Sequence, residues 1–136
     1  MSSVFTKVRL GELPGQILFQ DEVVFVIMTI APHNPGHVLV IPVAETGNFE
    51  DLEQRIYERL MGVVRQMMHA LKAVYDPPKV ALIVSGADMP DHTHVHVLPQ
   101  YKESDIDAAS AKPAEQAELS QEAEKIRRYL AEHPIV

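Results

Sequence analysis

The chain contains no cysteine and no tryptophan. Disulfides and thiolate metal sites are therefore excluded. Phe and Tyr together make up only 6% of the residues, so aromatic surface is scarce. Positive charge is also thin: 12 Lys and Arg stand against 19 Asp and Glu, for a net charge of -7. No stripe of basic residues interrupts this, which argues against a nucleic acid polymer as partner. No stretch approaches the ~18 continuous apolar residues of a membrane span. Residues Met1 to Lys7 lack the apolar run of a secretory signal, so the expected compartment is the cytoplasm, away from any membrane.

What is present fits one soluble domain over residues 1–136. Apolar residues reach 46% and charged residues 23%, enough to bury a core and solvate a surface. A small phosphate-bearing ligand stays compatible with the acidic balance, because a local cluster can oppose the global charge.

Hydrophobic periodicity gives an order of elements. Gln16–Phe19 and Val23–Ile30 read as two strands, with Asp21-Glu22 as the turn of a hairpin. A loop with two prolines and a glycine, Ala31 to Gly36, leads into a buried-type strand over His37–Ile41, closed by Pro42. Asn48 reads as the N-cap of a helix with Glu50 and Asp51 in its first turn. Leu52, Ile56, Leu60, Val63, Met67, Leu71 and Val74 then recur at spacings of three and four until Asp76-Pro77-Pro78 ends the pattern. Val80–Val84 is a short strand, Ser85–Asp91 a loop, and His92–Leu98 another strand, closed by Pro99. A polar connection follows. Pro113 opens a last helix to about Glu132, with Leu119, Ala123, Ile126 and Leu130 on one face. Clustered strands with few helices predict an α+β domain with a mainly antiparallel sheet of about five strands.

Seven histidines are present, and three fall at His92, His94 and His96. In a strand these share one face, roughly 6.5–7 Å apart along the chain. Thr93, Val95 and Val97 then point to the opposite, core-like face. Neighbouring imidazoles repel if all are charged and are costly to bury unpaired. Three uses compete. The face could be merely polar. It could hold Zn²⁺, since His-x-His is a common ligand pair and Asp88 or Asp91 could complete the set. It could perform phosphate chemistry, because neutral imidazole is a nucleophile near pH 7 and its neighbours can protonate a leaving group.

His92-Thr93-His94-Val95-His96-Val97-Leu98 resembles the His-φ-His-φ-His-φ-φ signature of the histidine triad (HIT) family. Upstream, Pro35-Gly36-His37-Val38-Leu39-Val40-Ile41-Pro42 resembles that family's second hallmark. Phe5, Lys7, Gly11-Glu12, Pro14, Asp21 and Phe25 are similar to residues of many members, so the likeness runs from about Phe5 to Pro99. It implies a core over about 5–100 with a C-terminal extension. It also implies a homodimer that binds a purine nucleoside monophosphate unit and cleaves a P–N or P–O bond of a nucleotide. By that likeness His94 is the nucleophile, forming a nucleotidyl-histidine. His96 and His92 assist with phosphate and orientation, and His37 supports the site. No cofactor or metal is implied for the chemistry.

The substrate pocket implied by the resemblance draws on Phe5, Val8, Leu13, Thr29, Ile30, Leu39 and Ser85, although the apolar members fit a simple core equally well. Thr29 stands where many members carry an acid that holds the ribose hydroxyls, and the loop Ser85–Asp91 lacks their glutamine. Where some members hold structural zinc, the corresponding residues are Ser3, Thr6 and Glu45. Two alternatives remain at this point: a nucleotide-binding regulatory module with weak turnover, and a His-ligated metalloenzyme. His33, in the proline loop, reads as merely solvated, His69 as packing or surface, and His133 as a cation suited to a helix end.

Overall fold

A computed structural model describes residues Ser2 to Val136. A short helix, α1 (Val4–Arg9), precedes a hairpin of β1 (Ile17–Gln20) and β2 (Val24–Met28). Then come β3 (Val38–Pro42), the long helix α2 (Gln54–Tyr75), β4 (Lys79–Ile83), β5 (Val95–Gln100) and α3 (Gln116–Glu132). The five strands form one antiparallel sheet in the order β1-β2-β3-β5-β4. The α+β expectation and its five-stranded sheet are therefore correct.

Local chemistry explains most boundaries. The hairpin turns on Asp21, whose Oδ1 accepts the backbone N–H groups of Val23 and Val24, both at 2.8 Å. α2 stops where Asp76 adopts a left-handed conformation, φ 47°, and Pro77 follows. Its start differs from expectation. Phe49–Asp51 form a separate 3-10 turn, and Leu52 and Glu53 are extended before α2 begins at Gln54. Leu52 is drawn into the core, and the chain breaks to deliver it there. The Asn48 side chain donates to Asp51 Oδ2 and caps no backbone N–H. α3 likewise begins at Gln116, and the connection before it is built from two 3-10 turns, Glu103–Ile106 and Ala108–Ser110.

The sheet has two distinct faces. Val24, Val26, Met28, Val38, Val40, Val95 and Val97 meet Leu60, Val63, Met67 and Leu71 of α2. Leu119, Ala123 and Ile126 of α3 join the same core. Each buried Val, Leu, Ile or Met side chain stabilises the fold by about 1.5–3 kcal/mol on burial, more than the ~0.7 kcal/mol spread of helix propensity among ordinary residues. On the opposite face Phe25, Ile27, Leu39 and Ile41 pack under Phe5 and Val8 of α1. This second face carries the histidines. Among the described residues no helix is long and apolar enough to cross a membrane.

Candidate active site

The proline loop delivers His37 just ahead of β3, the segment entering β5 delivers His92 and His94, and β5 itself delivers His96. Gly36 has φ +92°, and a Cβ there would fall onto the Tyr75 ring at the end of α2. The turn before His37 thus requires glycine for conformation and for space. His37 is buried at the start of β3. His92 and His94 lie just before β5, which begins at Val95, not at His92 as expected. Their backbone is engaged by loops: the N–H of Thr93 donates to Thr46 O at 2.7 Å, and that of His92 to Met89 O at 3.3 Å. The strand also continues through Pro99, which lies beyond the segment paired with β3. The alternation of faces is as expected: Val95 and Val97 enter the α2 core, whereas the His94 and His96 rings stand 4.9 Å apart on the other side.

Hydrogen bonds assign the protons. A carbonyl oxygen can only accept, so the His94 Nδ1 that lies 3.0 Å from His92 O carries a proton. The Nε2 of neutral His94 is therefore a bare lone pair. By the same reasoning His92 is protonated on Nε2, 2.7 Å from Pro42 O, and its Nδ1 accepts the Ser3 hydroxyl. His37 Nδ1 accepts the backbone N–H of His33 at 3.1 Å, so its proton is on Nε2 and donates to His96 Nδ1 at 2.9 Å. His96 in turn holds its proton on Nε2. Burial, with repulsion from His96 and His33, pushes His37 down to about 2. Burial, then repulsion from His94, pushes His96 down to about 4 against a partial counterweight from Asp88. His92 is lowered chiefly by burial. His37, His92 and His96 are thus neutral near pH 7, and His37 and His96 form a relay of directed N–H groups.

The apolar surroundings divide the expected pocket residues. The Phe5 ring meets His94 edge-on at 4.8 Å and His92 at 5.7 Å, and Val8 and Leu39 belong to the same cluster. Thr29 is buried, with its Oγ1 accepting the Ala31 N–H at 3.4 Å. Leu13, Ile30 and Ser85 are exposed, Ile30 by 65%. They line no part of the apolar cluster beside the histidines.

Three features were not anticipated. Gly86, φ +78°, brings loop backbone over His94, leaving the position of its absent Cβ 3.8 Å from His94 Cε1. Ser3 caps α1 by accepting the Thr6 N–H and also reaches His92. Glu45 Oε1 accepts from Ser3 N at 2.6 Å and Thr6 Oγ1 at 2.7 Å, which holds its carboxyl down to about 2. Ser3, Thr6 and Glu45, the residues the resemblance aligned with a zinc set, thus meet beside His92 through hydrogen bonds. His33 is not merely solvated, since its Nδ1 lies 2.7 Å from Asp105 O. His69 and His133 are exposed and remote, with His133 stacked on Tyr129.

This arrangement of a bare imidazole nitrogen beside a directed imidazole N–H is the site of a histidine triad protein, and the wider comparisons agree. The HIT domain model matches residues 10–103, and the chain belongs to the HIT family. It is 30% identical over 105 residues to an uncharacterized HIT-like protein of Borreliella burgdorferi, covering 73% of this chain and 76% of that one. It is 28% identical over 103 residues to an AP-4-A phosphorylase of Mycobacterium tuberculosis, covering 71% of this chain but 53% of that enzyme. A Zn-bound histidine triad family protein of Mycobacterium smegmatis shares the fold, with TM-score 0.78 and 23% identity over 98% of this chain and 96% of that one.

Proposed function

We propose that the protein cleaves a P–N or P–O bond of a nucleotide through a nucleotidyl-histidine on His94. The observation that carries this reading is the bond from His94 Nδ1 to His92 O, which leaves Nε2 free to attack. In the first step the Nε2 lone pair forms a bond to phosphorus and the bond to the leaving group breaks. His96 Nε2–H supplies the proton that the leaving group takes, while His37 Nε2–H stays hydrogen-bonded to His96 Nδ1 and stabilises the charge left on that ring. Water then attacks the same phosphorus, returns a proton to His96 Nε2 and releases His94 as the neutral imidazole. By the family likeness, Phe5 and Leu39, buried beside the histidines, are assigned to the base and the buried Thr29 to the ribose.

The hydrogen bonds favour this chemistry over a His-ligated metal. His37 and His92 have both ring nitrogens engaged. His94 and His96 retain one uncommitted nitrogen each, and among the described residues no three His, Asp or Glu side chains, Asp88 and Asp91 included, are grouped closely enough to hold a metal ion. The test is His94→Ala, assayed on a panel of a phosphoramidate, a dinucleoside polyphosphate and a nucleotidyl sugar with product identification. Turnover should fall by at least ~10³-fold with an unchanged fold. A near-normal rate would remove His94 as nucleophile, and tight nucleotide binding without wild-type turnover would favour a regulatory module.

The same reading includes a homodimer. β4 is an edge strand, and a groove of about 760 Å³ between it and α2 is lined by Met61, Met68, Val80 and Leu82. α3 covers another part of α2 within the chain, through Leu119, Ala123 and Ile126. An unpaired edge beside apolar side chains is suited to a second copy.

A further inference from the structure

His33 lies outside the triad and outside the upstream motif, yet it is held at both ends. Its Nδ1 is 2.7 Å from the carbonyl oxygen of Asp105, so it donates there. Its backbone N–H donates to His37 Nδ1. The acceptor is itself fixed: the buried Asp105 carboxylate accepts the N–H groups of Tyr101 and Lys102, at 2.8 and 3.1 Å. The loop has two further ties, Lys112 N to Pro32 O at 3.2 Å and Asn34 Nδ2 to Pro99 O at 2.9 Å. The loop and the Asp105 segment together border an open groove of about 700 Å³.

We propose that His33 is a positioning residue, whose ring, clamped to the Asp105 carbonyl, holds its own backbone N–H on His37 Nδ1 and so fixes the tautomers of His37 and His96. If that N–H moves away, His37 is free to carry its proton on Nδ1. Its Nε2 then becomes an acceptor, His96 reverses to donate from Nδ1, and His96 Nε2 loses the proton it presents to the site. The inference rests on the reading of His94 as nucleophile for its kinetic consequence, and on the hydrogen bonds alone for its tautomeric one.

The variants are His33→Ala, which deletes the clamp, and His33→Asn, whose side-chain N–H falls near the position of Nδ1 and restores it. Long-range ¹H–¹⁵N spectra of labelled protein at pH 7.5 read the tautomers without any substrate. Wild type and His33→Asn should show His37 and His96 protonated on Nε2, and His33→Ala a mixture. Kinetically, His33→Ala should lose about ten- to a hundredfold in kcat for a nucleotidyl alkylamine, whose leaving group needs a proton. KM should be unchanged, and a nucleotidyl nitrophenol should react almost normally. A wild-type tautomer pattern in His33→Ala, equal losses for both leaving groups, or no rescue by His33→Asn would each overturn the proposal. Should wild type turn over neither substrate, the nucleophile assignment fails, and the spectra alone decide the role of His33.

Discussion

Lowering the pH from 8 to 5 should destabilise this protein far more than ordinary surface titration would. The cause is the histidine cluster. In the fold His37 is held down to about 2 and His96 to about 4, while in the unfolded chain both return to the ordinary value near 6.5. The unfolded state therefore binds protons that the folded state refuses, starting at about pH 6.5 and continuing down to the folded values. Stability is complete above pH 6.5 and is lost as the pH falls. Each refusing histidine costs ~1.4 kcal/mol per pH unit, or about 2 kcal/mol by pH 5. His96 is partly exposed and contributes somewhat less, so the pair removes about 3–4 kcal/mol, and the lowered His92 acts in the same direction. Against a total stability of ~5–15 kcal/mol this is large. It corresponds to a fall in Tm of about 10–15 °C for a chain of this size. The lowered carboxylates, Asp21, Glu45 and Asp105, lose their contribution only below about pH 4.5, so the window from 8 to 5 isolates the imidazoles. Thermal melts followed by circular dichroism measure the effect. His37→Gln should reduce the pH dependence by about one proton's worth in slope. A Tm at pH 5 within about 3 °C of the value at pH 8 would refute the reasoning.

Gly36→Ala should cost about 2–5 kcal/mol in a denaturant melt, combining a disfavoured positive φ with displacement of the Tyr75 ring, and a loss below ~1 kcal/mol would contradict the crowded turn. Prolonged treatment with a strong chelator should leave activity and Tm unchanged; a loss restored by Zn²⁺ would support a metal site instead. Light scattering at micromolar concentration should give a mass near twice 15.2 kDa, and a constant mass near 15.2 kDa on concentration would exclude the dimer.

The legible parts of the sequence were those governed by local periodicity. The spacing of Leu60, Val63, Met67 and Leu71 defined α2, and the alternation of Val95 and Val97 with His94 and His96 assigned opposite faces. α1 escaped, because six residues are too few to establish a helical period. The break at Leu52 also escaped, since Asn48 and its acids favour a continuous helix locally and only the pull of Leu52 into the core prevents it. In the site, a supporting role for His37 came only by resemblance, and its hydrogen bond to His96 was not foreseen. Ser3 on His92, 89 residues away, and His33 on Asp105, 72 residues away, are tertiary contacts between polar groups with no pattern to announce them.

The two faces of β5 impose a rule on how the chain can change. Valines at 95 and 97 hold the helical layer, while the imidazoles at 94 and 96 take the opposite face of the sheet, so adhesion and chemistry occupy alternate letters of one short text. Deleting a single residue between His94 and Pro99 would exchange the roles of the letters that follow, turning an imidazole toward α2 and a valine toward the site. Substitutions here can be graded in effect, but a change of length by one is all or nothing.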